Sequence, residues 1–99
     1  MAVAAPLLET RFLALTGEGD GWCGALEEEL ERLDGRRAFL VLDLSGADTV
    51  DATALGRLVL AQKRLQRSGG RLALVSDRPE PVELLRRTGL DRLFDVTVR

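Results

Sequence analysis

The chain has no histidine, no tyrosine and no asparagine, and only one cysteine, Cys23. Each absence closes a class of function. Without histidine there is no Ser-His-Asp triad and no Cys-His pair, and the usual base near neutral pH is missing. One thiol without imidazole cannot build a tetrahedral zinc site. A lone cysteine cannot form an intrachain disulfide, which fits a reducing cytoplasm. No apolar run approaches the ~20 residues of a membrane span. The first eight residues are mildly apolar but lack the basic region and the length of a signal peptide. What remains for chemistry is carboxylates, arginines, Lys63 and hydroxyls, and no two carboxylates stand out as an acid–base couple. The expectation is a protein that is not an enzyme and holds neither cofactor nor metal.

What is present describes a small globular domain. The 99 residues are 45% hydrophobic and 30% charged, with a net charge of −2, so one domain covering residues 1–99 is expected and a polyanion such as nucleic acid is not an expected partner. The charge is divided along the chain. Up to Asp51 there are eleven acids and four arginines, and from Ala52 onward ten basic residues and five acids. Such a split polarises a surface and orients a charged partner; two helices solvating their outer faces with different signs would produce it as well.

Hydrophobic periodicity alternates between strand and helix. Residues 7–15 read as a strand ending at the glycine-rich Gly17-Glu18-Gly19-Asp20-Gly21. That stretch lacks the lysine and hydroxyl of a nucleotide-binding loop and reads as a turn, with Asp20 placed to cap a helix. Trp22, Leu26, Leu30 and Leu33 then form one helical stripe, with Trp22 and Cys23 expected in the core and an interface anchor as the alternative for Trp22. The helix stops at Asp34-Gly35. Residues 38–42 are a continuous apolar run suited to a strand covered on both faces. A polar loop is expected from Asp43 to Asp51. A second helix follows, with Ala54, Leu58, Ala61 and Leu65 on one stripe and Leu55 and Val59 widening it, closed by Ser68-Gly69-Gly70. Residues 72–75 form a third strand. Pro79 opens a short helix on Val82 and Leu85, ended by Thr88-Gly89-Leu90. Phe94, Val96 and Val98 alternate as a last strand with one wet face. Strand–helix alternation predicts an α/β sheet with right-handed crossovers.

The best candidate site is the junction of the second strand and second helix. Ligands of α/β sheets gather at the carboxyl ends of strands. The helix start offers unpaired N–H groups and the positive end of the dipole. Thr53 is the hydroxyl in that first turn, and a phosphate on it would add roughly −1.5 to −2 charges. Asp51 would cap such a helix with no further role.

Five segments in order resemble the STAS domain family, named for sulphate transporters and anti-sigma factor antagonists. They are Leu15-Thr16-Gly17-Glu18-Gly19-Asp20, Val41-Leu42-Asp43-Leu44-Ser45-Gly46, Val50-Asp51-Ala52-Thr53-Ala54-Leu55-Gly56, Gly69-Gly70-Arg71-Leu72-Ala73-Leu74-Val75 and Thr88-Gly89-Leu90-Asp91-Arg92-Leu93-Phe94. The resemblance covers about residues 10–95. It implies a small mixed, mostly parallel β-sheet packed with α-helices, in a cytoplasmic bacterial regulator of transcription. In the anti-sigma factor antagonists of the family, a serine kinase that is also the anti-sigma factor phosphorylates the hydroxyl directly after the motif's aspartate. Here that position is Ala52, which carries no hydroxyl, and Thr53 is the displaced phospho-acceptor candidate. Asp48, Asp51, Ala52, Thr53, Leu55, Gly56 and Arg57 are the partner-binding candidates. The partner implied is an anti-sigma factor/serine kinase; the alternative is the ATPase of an ABC-type lipid transport system, with this chain as its cytoplasmic subunit. No nucleic acid and no direct membrane insertion are expected, and a homodimer is compatible with the family.

Overall fold

The computed structural model describes residues 9–17, 21–47 and 51–98. Strand β1 (Glu9–Gly17) is followed by helix α1 (Cys23–Arg32), strand β2 (Ala38–Ala47), helix α2 (Ala52–Arg67), strand β3 (Arg71–Ser76), helix α3 (Pro79–Thr88), a single 3-10 turn (Leu90–Arg92) and strand β4 (Asp95–Val98). The sheet order is β1-β2-β3-β4, and all three pairings are parallel. Each strand thus joins its spatial neighbour through a helix. Because such crossovers are right-handed, a sheet that always advances in one direction carries all its helices on one face.

The burial pattern agrees with that geometry. Along β2, Ala38, Leu40, Leu42 and Leu44 are buried while Phe39, Val41, Asp43 and Ser45 are half-buried. The buried set meets Trp22, Leu26, Leu30 and Leu33 of the α1 segment and Ala54, Leu58, Ala61 and Leu65 of α2 in one core. The stripes read from the sequence are therefore the stripes that pack. On the opposite face of the sheet Phe12 stands 77% exposed.

One expectation changes. The loop expected from Asp43 is still strand as far as Ala47, because Leu42, Leu44 and Ala47 keep facing the core. A register shift between Ala14 and Thr16 lets β1 follow it. Helix α1 ends at Arg32 with Leu33 as its C-cap, and Gly35 takes the expected positive φ, 75°, in the turn beyond. The expected cap Asp20 and the strand residues Leu7 and Leu8 lie outside the described residues.

Two buried polar side chains, Glu29 and Gln62, bridge elements of the fold. The buried Glu29 carboxylate accepts from Arg11 Nε at 2.9 Å and Arg32 Nη1 at 3.3 Å, tying α1 to the edge strand β1. Gln62 on α2 accepts from the Leu72 N–H at 2.8 Å and donates to the Leu93 carbonyl at 2.7 Å. One side chain thereby joins α2, β3 and the approach to β4.

Candidate functional site

In a parallel sheet all strands end on the same edge. Here β2 ends at Ala47 and β3 at Ser76 on that edge, and α2 begins beside it. Asp51 has extended backbone (φ −95°, ψ −178°), and its Oδ1 accepts from the Ala54 N–H at 2.8 Å. Its carbonyl accepts the first helical bond, from the Leu55 N–H at 2.9 Å. Asp51 is thus the N-cap. Replacing it with alanine is expected to lower stability by about 1 kcal/mol, a fall in Tm of roughly 4–8 °C for a domain of this size. Asp51→Asn keeps the acceptor and should melt within a degree or two of the parent; thermal melts of both variants check this.

The cap sets which residues of the first turn reach solvent. Asp51, Ala52, Thr53, Gly56 and Arg57 are exposed. Ala54 and Leu55 point into the core, with Leu55 only 4% exposed. Of the partner-binding candidates, Leu55 therefore anchors the helix instead of offering surface. Asp48 lies outside the described residues. Arg57 is four residues after Thr53, so the two are neighbours on the helix surface.

Beneath this turn the ends of β2 and β3 are laced together. The Ser45 N–H donates to Asp43 Oδ1 at 2.9 Å, and the Asp77 N–H donates to Ser45 Oγ at 3.0 Å. The Arg78 N–H donates to Ser76 Oγ at 3.1 Å, and the Arg78 guanidinium donates to the Ala47 carbonyl. Ser45, Ser76 and Arg78 were not among the sequence candidates. Ser45 and Arg78 act through contacts that join segments 32 and 31 residues apart, whereas Ser76 accepts from Arg78 only two residues on.

Among the described residues no group of histidine, cysteine or acidic side chains is arranged to hold a metal ion. No described helix is long and apolar enough to cross a membrane. The edge offers an exposed helix start, capped by Asp51, that presents the Thr53 hydroxyl and the Arg57 cation.

Comparison with known proteins agrees with this architecture. The family model of the STAS domain matches residues 2–99. Among curated proteins no match was found. The STAS domain of a SulP transporter from Vibrio cholerae superposes with a TM-score of 0.75 at 19% identity, over 95% of this chain and 77% of that one. An anti-sigma factor antagonist from Mycobacterium paratuberculosis superposes with a TM-score of 0.66 at 24% identity, over 87% of this chain and 74% of that one. At these identities the two structures speak for the fold alone. With a family match running over nearly its whole length, and a parallel sheet of four strands with three α-helices among the described residues, this chain belongs to the STAS domain family.

Proposed function

We propose that this STAS domain is a protein-binding regulator that acts as an anti-sigma factor antagonist, docking on an anti-sigma factor/serine kinase in the cytoplasm through the start of α2. STAS domains are in general regulatory or interaction modules rather than enzymes, and one of the superposed structures is itself an anti-sigma factor antagonist. The observation that carries the reading is the exposure of Ala52, Thr53, Gly56 and Arg57 on a helix whose other side is locked by Ala54, Leu55 and the Asp51 cap. Such a surface is preorganised, so little ordering entropy opposes docking.

Thr53 is the acceptor in this reading. A phosphate there would sit at the positive end of the α2 dipole, within reach of Arg57 one turn on. It would place two negative charges where the partner docks and oppose binding by repulsion and desolvation. Ala52 favours a second reading, in which the domain binds constitutively as a subunit supporting the ATPase of an ABC-type lipid transporter.

Calorimetric titration with a kinase-type anti-sigma factor from the same genome tests the first reading. Thr53→Asp and Arg57→Glu should each weaken binding at least about tenfold, some 1.4 kcal/mol. Unchanged affinity in both variants rejects this surface. Incubation with the kinase and ATP should add one phosphate, and Thr53→Ala should abolish the gain. Binding without any mass gain would favour the constitutive reading.

A further inference from the structure

We propose that two copies of this chain pair through the outward face of α1 and α2, around a two-fold axis running along the helices. The sequence of α2 holds four cations, Arg57, Lys63, Arg64 and Arg67, and no acid. That of α1 holds four glutamates and one arginine. The two helices lie side by side, with Arg64 Nη1 3.0 Å from Glu27 Oε2. The division of charge along the chain thus becomes a division across one surface, acidic on one helix and basic on its neighbour.

The outward stripe of α2 is Thr53, Gly56, Leu60, Lys63 and Arg67, spaced by three and four residues and exposed throughout. Leu60 is 58% exposed and is the one strongly exposed large apolar side chain on either helix. On α1, Gly24, Glu28 and Glu31 are exposed. A Cβ at Gly24 would meet no atom within 4 Å, so the space above it is open.

The Glu27–Arg64 pair fixes how these groups line up. Both helices return from the end of one strand to the start of the next, so they run parallel. Gly24 lies three residues before Glu27 and Leu60 four before Arg64, which puts them about 4.5 and about 6 Å back along their helices. Glu28 and Glu31 share the following level with Lys63 and Arg67. A two-fold axis along the helices keeps every level and exchanges the helices. Leu60 of each copy then comes over Gly24 of the other, and Glu28 and Glu31 meet Lys63 and Arg67. An axis across the helices would instead set acid on acid and base on base. A uniformly negative surface, such as an anionic membrane, meets the glutamate row together with the cations. The alternation therefore selects a partner that alternates in the same way, and the chain itself does. The pairing contacts Leu60, Lys63 and Arg67 lie beyond the docking residues Thr53 and Gly56 on the same outward stripe, Leu60 two turns on from Thr53.

A contact led by exposed charges is screened by salt. Sedimentation equilibrium of the full chain at low salt should show the mass rise with concentration from 10.8 kDa toward twice that value. Raising the salt from about 50 to about 500 mM should weaken association at least about tenfold. The double variants Lys63→Glu/Arg67→Glu and Glu28→Lys/Glu31→Lys should each be monomeric with unchanged circular dichroism. Mixed in equal amounts they should pair, because every exchanged contact is then attractive. A parent chain that stays monomeric at low salt overturns the proposal, and so does one that instead binds anionic vesicles. A dimer that survives in both variants, or variants that do not pair on mixing, would overturn it as well.

Discussion

Gly70→Ala is expected to cost the fold about 3 kcal/mol or more, which is large among single substitutions. A Cβ built on Gly70 lies 2.3 Å from the Ala38 carbonyl oxygen, 3.1 Å from its nitrogen and 3.2 Å from its carbonyl carbon. All three are backbone atoms at the start of β2, one residue before the first β2–β3 pair, Phe39 with Arg71. No rotamer change relieves the clash. Either the two central strands part at that end, or the Gly70 N–H gives up its 2.8 Å bond to the Leu65 carbonyl, which closes α2. A loss of that size lowers Tm by roughly 12–24 °C in a domain of this length. Gly69→Ala makes the contrast. Gly69 has a φ of +80° and ordinary contacts, so its substitution carries only the left-handed penalty, about 1–2 kcal/mol. Thermal unfolding of the two variants side by side checks the ordering.

Gln62→Leu should cost about 2–4 kcal/mol, although it hardly changes volume and adds apolar character. The side chain is 7% exposed and serves the Leu72 N–H and the Leu93 carbonyl at 2.8 and 2.7 Å. Leucine leaves both without a partner, at about 1–3 kcal/mol for each stranded group. The damage should be local in order: amide exchange at Leu72 rises first, ahead of the strand pairing at Leu40 and Leu42. A variant as stable as the parent would mean that water reaches both groups.

These two positions mark where the sequence was and was not legible. The pair Gly69-Gly70 reads as a helix stop, and it is one. Only Gly69 is glycine for its dihedral angle, whereas Gly70 is glycine because a neighbouring strand passes close by. That requirement comes from a residue 32 positions away. Gln62 carries no local signal at all, since a glutamine between Ala61 and Lys63 looks like surface until β3 and Leu93 are placed beside it. The apolar stripes of α1 and α2 were legible because helical periodicity depends on nearby residues only. The extension of β2 to Ala47 was also within reach. Leu42, Leu44 and the residues between them alternate with the period of a strand, but Asp43, Ser45 and Gly46 carry turn composition and outweighed it. At the candidate site, the Asp51 cap and the exposure of Thr53 and Arg57 follow from the local sequence. The inward turn of Leu55, and the lacing of β2 to the end of β3 by Ser45 and Arg78, depend on the packed sheet.

Mapping amide chemical shifts is the most direct test of docking through the start of α2. Isotope-labelled protein would be titrated with the purified kinase-type anti-sigma factor from the same genome. The perturbed amides are expected to cluster at Ala52, Thr53, Gly56 and Arg57, while those around Phe12 and Phe39, on the sheet face opposite the described helices, stay in place. Perturbations centred on Phe12 and Phe39, with residues 51–57 unmoved, would contradict it.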